Sequence, residues 1–522
     1  MENITTRRAL ISVSDKLGLG SFARGLVAAG IEIYSTGGTR QHLEGEGIEV
    51  RDVTAYTGFP EMMDGRLKTL HPKVFGGLLC RHDRADDMQA LDDHEIVTFE
   101  LVVVNLYPFQ ATIAREGVTR DEAIEKIDIG GPSLVRAAAK NHKFVAIATH
   151  PEQYSSILED IQEHGGTSLD LRSRLAAEAF AHTAGYDRAI ADYFAGESSD
   201  GPFAPAVNLT FSRKAVLRYG ENPHQQAALY GEAGSRGPSL VSARQLNGKE
   251  LSYNNLLDLD SAFAIARSLP DTACSVIKHN NPCGAASALT LCDAARKAME
   301  GDPVSAFGSV LGFDDAVDVA TAEYLSTPGL FVEAIVAPDF EAAAVEILTT
   351  KPKWRKNVRL MQMGHLEDAA SRRQYRYIDG GVLVQDADTD RDPEDEWRVV
   401  TQQQPTDEQF AELRFGWAVC RHVKSNAIVL SKDRALCGVG AGQMSRVDSV
   451  DIAIRKADQR AVGSVLSSDA FFPFPDSIHK AAEAGVSAII QPGGSKKDDE
   501  VIAACNELGL PMIFTGRRHF KH

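Results

Sequence analysis

Two segments of this chain repeat one another, and the repeat restricts its second half to a duplicated architecture. Cys283-Gly284 is followed 25 residues on by Gly308-Ser309-Val310-Leu311, and 30 residues beyond Gly308 stands Pro338, closing the apolar run AIVAP. Cys437-Gly438 opens a second copy. Gly463-Ser464-Val465-Leu466 follows after 26 residues, and Pro492, closing AIIQP, after 29 more. A helical stretch and a short strand precede each Cys-Gly, at 261–268 and 275–277 in the first copy and at 410–422 and 427–430 in the second. Three landmarks in register predict two α/β layers of like topology packed as one duplicated unit.

The first 150 residues follow a different plan. Apolar runs at 9–13, 31–35, 101–106 and 144–148 read as buried strands, with helical periodicity between them at 20–29, 120–127 and 133–140. This alternation predicts a parallel α/β sheet with ligands at the carboxyl ends of its strands. Helices at 151–163 and 171–194 lead to GESSDGPFAP at 196–205, a linker by composition. The main boundary is placed there, giving domains 1–200 and 201–522, the latter with layers at about 206–385 and 400–522.

Charge narrows the partners. With 72 acidic and 55 basic residues the net charge is −17, which argues against a general nucleic-acid or anionic-membrane binder. A small anion therefore needs a locally basic pocket. The seven cysteines form no C-x-x-C pair, so neither a disulfide framework nor a structural zinc site is indicated. Without a signal h-region or a run of ~18 apolar residues, the expectation is a cytoplasmic protein.

In the first domain, Ser12-Val13-Ser14-Asp15-Lys16 and Thr36-Gly37-Gly38-Thr39 each lead from a strand into a helix. Such junctions present N–H groups and a helix dipole to a phosphate, although N-caps and a tight turn account for the same residues. Arg66-Leu67-Lys68-Thr69-Leu70-His71-Pro72 gathers two cations, a hydroxyl and an imidazole, and Pro72 stops it continuing as a helix. Asn105-Leu106-Tyr107-Pro108 ends a strand with a phenol, and Asp128-Ile129-Gly130-Gly131 precedes a helix carrying Lys140. Singly these are ordinary surface residues. Together they supply cations, a phenol and a carboxylate suited to acid–base work on an oxyanion.

In the second half, Lys278-His279-Asn280-Asn281-Pro282-Cys283-Gly284 follows the strand SVI, with a turn expected at Pro-Gly. His279 suits a general base at neutral pH, and Lys278, if desolvated, a proton donor or acceptor. Cys283 is less attractive as a nucleophile, because it holds the repeat's structural position and Cys437 has no Lys-His beside it. Arg218-Tyr219, Arg446 and Arg517-Arg518 add loop arginines for a phosphate or carboxylate. The stretch 386–396, with seven carboxylates and one arginine, reads as a solvated loop rather than a metal site.

At these residues the chain resembles the bifunctional AICAR transformylase / IMP cyclohydrolase family of purine biosynthesis. SVSDK, STGGT, GRLKTLHP, NLYPF, IDIGG, RAAAKNH, LRYGENPHQ, KHNNPCG, SAFGS, HVKSNAI, GAGQMSR, SDAFFPFPDS, QPGGS and TGRRHF match in order from Ser12 to Phe520. The resemblance implies a methylglyoxal-synthase-like parallel α/β domain followed by a duplicated cytidine-deaminase-like α/β/α transformylase. It implies formyl transfer from 10-formyltetrahydrofolate to AICAR, giving FAICAR, and dehydrative closure of FAICAR to IMP. Ser14, Asp15, Lys16, Thr36, Gly37, Gly38, Thr39, Arg66, Thr69, Asn105 and Ile129 would bind IMP or FAICAR. Lys68, Tyr107, Asp128 and Lys140 would do the chemistry of closure.

For the transformylase, the resemblance assigns Arg218, Tyr219, Gly308, Glu333, Arg446, Phe471 and Arg518 to AICAR, and Asp476, Ser495 and Lys496 to the folate. Lys278, His279 and Asn426 would be catalytic, Asn426 by donating to the oxyanion. Folate is the co-substrate. Catalytic zinc is not expected, since Ala286 and Ser287 stand where a second thiol after Cys283 is needed. A monovalent cation is left open. The resemblance also implies a homodimer with the transformylase site at its interface, and no nucleic-acid or membrane partner. A nucleotide-binding regulatory protein without turnover is the alternative; it would not need Lys278-His279, Tyr107 and Lys140 together.

Overall fold

Apolar runs closed by small or hydroxylated residues become the strands of two sheets that share no strand. A computed structural model describes the chain except for residues 1–2, 61, 64–66, 116, 199–200, 202, 233–237, 365–372 and 390–391. It divides into two units, Met1–Thr210 and Phe211–His522.

In the first unit, β1 (Arg8–Val13), β2 (Glu32–Ser35), β3 (Arg51–Asp52), β4 (Leu101–Asn105) and β5 (Ala146–Ala148) pair in the order β3-β2-β1-β4-β5. Every pair is parallel. Successive residues Ala9, Leu10 and Ile11, and Leu101 to Val104, are all buried, so both faces of the sheet are covered. The flanking helices include α1 (Leu19–Ala28), α2 (Gly37–Gly45), α3 (Pro72–Leu79), α4 (Gly130–Lys140) and α5 (Leu169–Ser198). Strand order reverses between β1 and β4, the switch point at which open α/β sheets leave a crevice.

Two local features differ from the sequence reading. Pro72 begins a helix as well as excluding one before it: it stands in the first turn of α3, where a missing N–H costs nothing. His71 caps that helix, its Nδ1 accepting from the Lys73 N–H at 3.1 Å. α5 runs to Ser198, so the segment expected as a linker from 196 starts inside a helix. Within α5 the wholly buried Arg172 donates to the carbonyls of His142 and Lys143, each at 2.8 Å, and so fixes the chain just beyond α4.

In the second unit the strands are β6 (Arg244–Asn247), β7 (Thr272–Lys278), β8 (Asn281–Ala288), β9 (Ser309–Phe313), β10 (Val332–Ala337), β11 (Arg359–Gln362), β12 (Arg398–Val399), β13 (Ile428–Lys432), β14 (Ala435–Gly440), β15 (Val465–Ser468), β16 (Ala488–Gln491) and β17 (Met512–Phe514). They form one sheet in the order β6-β11-β10-β9-β7-β8-β14-β13-β15-β16-β17-β12. Each copy of the repeat is an antiparallel hairpin, β7–β8 or β13–β14, flanked by a third antiparallel neighbour and then two parallel strands. The copies lie side by side, and Ala286 opposite Ala435 joins them.

Helices α6 (Tyr253–Ala266), α7 (Leu291–Glu300), α8 (Asp407–Cys420) and α9 (Arg446–Ala457) pack on this sheet. Matched crossings of α6 on β9 and α8 on β15 are close. A Cβ on Gly312 would lie 2.4 Å from the Ala262 backbone, and one on Gly416 would lie 2.5 Å from Ser467 Oγ. The acidic stretch is less solvated than expected. Asp388 and Asp392 bracket the buried His519, at 2.6 Å from Nδ1 and 2.9 Å from Nε2, and Trp417 Nε1 donates to Asp392 at 2.7 Å. Glu394 pairs with Arg414 and Glu396 with Arg517, so opposite charges on α8 and the C-terminal tail draw the segment down. All seven cysteines are free thiols, and among the described residues no helix is long and apolar enough to cross a membrane.

Candidate active sites

A cavity of about 800 Å³ opens at the switch point of the first sheet. Ser14, Lys16, Thr36, Gly38, Thr39, Lys68, Thr69, Asn105, Tyr107, Asp128 and Ile129 line it. Asp15, in the loop after β1, and Gly37, the first residue of α2, do not line it. Arg66 lies outside the described residues. Lys140 is exposed at the opposite end of α4 from Gly130 and Gly131, ~15 Å along the helix, and does not line the cavity.

Several of these side chains are committed to backbone. Asn105 Oδ1 accepts from the Ser14 N–H at 2.6 Å, the Ser14 hydroxyl at 3.0 Å and the Asp15 N–H at 2.9 Å, while its Nδ2 donates to the Asp15 carbonyl at 3.0 Å. Thr39 Oγ1 accepts from the Val13 N–H and donates to the Val13 carbonyl. These two residues therefore shape the loop after β1. The N-termini of α1 and α2 remain available to an anion. Lys68 reaches the α2 end: its Nζ would be 3.2 Å from a Cβ on Gly37, whose φ of +53° favours glycine.

The carboxylate side of the cavity is built by α4. Gly131 N–H donates to Asp128 Oδ1 at 2.8 Å. Burial raises the Asp128 pKa, opposed by the Gly131 and Tyr107 backbone N–H groups that donate to it. A Cβ on Gly131 would lie 2.4 Å from Asp128 Oδ2 and 2.8 Å from Leu106 Cδ2, so the carboxyl occupies the space a side chain would take. Tyr107 is 47% exposed toward the cavity mouth, and Lys126 Nζ sits 6.0 Å from its ring centroid. Sequence reasoning missed Lys126. Its one signal was its place two residues before Asp128.

In the second unit the turn between β7 and β8 is His279-Asn280, both left-handed at φ +52° and +62°, a two-residue hairpin loop. Pro282 and Gly284 belong to β8, which corrects the expected Pro-Gly turn. Asp258 of α6 accepts from the Asn280 N–H at 2.8 Å, and the Ser261 hydroxyl donates to Asn280 Oδ1 at 2.6 Å. Lys278 Nζ donates to the carbonyls of Phe307 and Gly308, each at 3.0 Å.

The repeat extends further than the sequence reading allowed. Lys432 ends β13 as Lys278 ends β7, and its Nζ donates to the Val462 carbonyl at 3.0 Å. Asp433 and Arg434 are left-handed like His279 and Asn280, and Glu412 accepts from the Arg434 N–H at 2.6 Å as Asp258 does from Asn280. The lysine and the turn are thus common to both copies, and the histidine belongs to one. Burial pushes the Cys283 and Cys437 thiols up to about 12, which keeps both protonated at neutral pH.

Asn281 Oδ1 accepts from the Lys424 N–H at 3.2 Å, tying the His279 turn to the segment before Asn426. Asn426 spends both amide hydrogens on the carbonyls of Gln443 and Met444, at 2.8 and 3.1 Å, and its Oδ1 accepts from Arg446 Nη2 at 2.8 Å. The buried Arg446 also holds Ser468 and Asp469. Asn426 therefore donates to an oxyanion only by releasing a carbonyl. Gly308 lies beside Lys278, and Glu333 on β10 is paired with Arg359. Arg218 and Tyr219 lie beyond the end of the Phe211–Leu217 strand, whose hairpin stands outside the main sheet. Phe471, Asp476, Lys496 and Arg518 are exposed, and Ser495 Oγ caps the Lys497 N–H at 3.1 Å.

Family models match both units: one described as "AICARFT/IMPCHase bienzyme" over residues 138–456, and one described as "MGS-like domain" over residues 18–133. The chain is 63% identical over 519 residues to the bifunctional purine biosynthesis protein PurH of Rhodopirellula baltica, covering 99% of each. It is 50% identical to that of Desulfitobacterium hafniense and 47% identical to that of Bacillus subtilis, in each case over 99% of this chain and 100% of the relative.

Proposed function

We propose a division of labour among these residues from one premise: the chain belongs to the AICARFT/IMPCHase bienzyme family. It is a bifunctional enzyme of purine biosynthesis that formylates AICAR and closes the product, FAICAR, to IMP. We assign closure to residues 1–200 and formyl transfer to 201–522, reading each copy of the duplicated unit as deaminase-like. The observation that carries the first assignment is the convergence of Lys68, Tyr107 and Asp128 on one cavity at the switch point.

In closure the carboxamide nitrogen of FAICAR attacks the formyl carbon of the same molecule, and the tetrahedral oxygen leaves as water. Because the nucleophile is tethered, folding the substrate supplies much of the rate. The phosphate sits over the α1 and α2 N-termini with Lys16 beside it. Lys68 stabilises the oxyanion while Tyr107 and Asp128 move protons. Lys140 rests on the resemblance alone, as it touches nothing in this cavity.

In formyl transfer the AICAR amine is a poor nucleophile, its lone pair delocalised into the ring and carboxamide. His279, held out on its left-handed turn, takes the amine proton as the nitrogen attacks the formyl carbon. Lys278 has three N–H donors and spends two on carbonyls, leaving one for the departing folate nitrogen. Asn426 organises Arg446 and the glycine-rich loop, and serves the oxyanion after giving up one carbonyl. The formyl donor is 10-formyltetrahydrofolate, with Asp476, Ser495 and Lys496 on its side.

We place the enzyme in the cytoplasm as a homodimer. Exposed apolar residues, among them Val216 on the hairpin that begins at Phe211 and Tyr377 on a second hairpin outside the main sheet, Arg373–Ile378 with Gly381–Asp386, support a second copy completing the transformylase site with its Arg218 and Tyr219. A monovalent cation is to be tested by titration. Nothing in the comparisons favours a regulatory protein without turnover.

The test separates the two reactions on one purified protein. Tyr107→Phe cuts IMP formation from supplied FAICAR while tetrahydrofolate release from AICAR and formylfolate continues; His279→Ala does the reverse. Equal loss of both activities in either variant overturns the assignment.

A further inference from the structure

The long helix α5 takes no part in lining the cavity, yet one of its side chains controls the loop that carries Asp128. Tyr186 OH accepts from the Asp128 backbone N–H at 2.8 Å and donates to the Lys126 carbonyl at 3.2 Å. One hydroxyl thus brackets the 126–128 segment from both sides and uses its donor and an acceptor position together. The same ring meets Phe109 edge-on, centroids 6.3 Å apart, and Phe109 N–H donates to the Tyr107 carbonyl at 2.8 Å. Phe109 is 1% exposed, so this contact is a fixed part of the core beneath the strand end that presents Tyr107.

The two groups assigned to proton transfer in closure therefore rest on one side chain from a different element. Asp128 follows a short loop, and an unanchored loop lets a carboxylate drift by far more than a proton transfer tolerates. A phenol fits this task better than a backbone group, because a single oxygen serves the N–H and the C=O two residues apart. Burial also raises the Tyr186 pKa to about 12, so the hydroxyl keeps its proton across the working range.

We propose that Tyr186 is a positioning residue for cyclisation, holding Asp128 and Tyr107 in register through its hydroxyl and its ring respectively. This inference rests on the assignment of Asp128 to proton transfer. Its test is Tyr186→Phe, which deletes the hydroxyl and keeps the ring. From supplied FAICAR, kcat falls by roughly 10- to 100-fold, the range of a misplacement of about 1 Å, while KM changes little. The acid limb of the kcat profile moves to lower pH, because the released carboxylate gains solvent and its raised pKa falls back.

Formyl transfer by the same protein stays at the wild-type rate, and an unchanged far-ultraviolet circular dichroism spectrum shows that the first unit, which carries Tyr186, is folded. Phe109→Leu, which removes the ring contact but not the bracket, lowers thermal stability and leaves the acid limb in place. A Tyr186→Phe enzyme with wild-type kcat and an unmoved acid limb overturns the proposal. Asp128→Asn separates this failure from failure of the underlying reading. If that variant still cyclises, Asp128 was misassigned; if it is dead while Tyr186→Phe is unaffected, the positioning role alone is wrong.

Discussion

Replacing Gly131 by alanine should disable cyclisation while leaving the fold almost as stable as before. Gly131 is in the first turn of α4 and does not have a left-handed φ, so alanine suits its backbone and gains about 1 kcal/mol of helix propensity. Against this stand the 2.4 Å approach of the new Cβ to Asp128 Oδ2 and the 2.8 Å approach to Leu106 Cδ2. Ordinary contact begins near 3.4 Å, so the carboxylate retreats by about 1 Å and Leu106 adjusts its rotamer at a cost of about 1 kcal/mol. The two energies nearly offset, and the global midpoint in urea moves little. Catalysis has no such compensation: if Asp128 moves protons as proposed, a displacement of about 1 Å at its carboxylate costs on the order of 100-fold in kcat. The assay is single-substrate conversion of FAICAR to IMP, with formyl transfer as the internal control. An alanine variant with wild-type closure would refute the argument that the Asp128 carboxyl needs the space above Gly131.

Two further outcomes concern the second unit. His519 is buried, which alone disfavours its charge, but hydrogen bonds and charges from Asp388 and Asp392 outweigh burial and raise its pKa to about 9. Its contribution is complete below the unfolded value of ~6.5 and is lost as pH rises through 9, up to about 3 kcal/mol. Wild type should therefore lose thermal stability between pH 7 and 10 faster than His519→Gln, the two curves converging at the alkaline end; parallel curves refute the clamp. Gly312→Ala should destabilise the unit by about 3 kcal/mol, because its Cβ meets the backbone of Ala262, and Gly416→Ala by roughly half, because Ser467 Oγ can rotate aside. Urea midpoints in the reverse order would refute this.

Much of the fold was legible because its signals are local. Continuous apolar runs marked the parallel strands of the first sheet, and glycine-containing junctions marked the strand ends where the cavity opens. The repeat was visible where both copies kept small residues under the same packing demand. It was overlooked at Lys432, although Lys278 and Lys432 each stand five residues before their Cys-Gly, because Asp433-Arg434 has none of the chemistry of His279-Asn280. Asn105, Thr39 and Asn426 read as ligand-facing groups, yet spend their side chains on backbone partners that sequence order does not reveal. The acidic stretch read as solvated because its partner, His519, lies well over a hundred residues away. Tyr186 was likewise hidden, since a helical tyrosine at an apolar position looks like core.

The seam between the two copies bears on how such a chain came to exist. Continuing the antiparallel register that sets Ala286 against Ala435 would set Asn281 against Gly440, and these residues are two pairs of equivalent positions exchanged between copies. The join thus has the symmetry of an isologous contact. An ancestral half-length polypeptide would have met a second molecule of itself along this edge, each bringing a lysine-ended hairpin with an identical turn. Asp433 and Arg434 would then keep the turn of such a hairpin without the histidine that the other copy carries at His279.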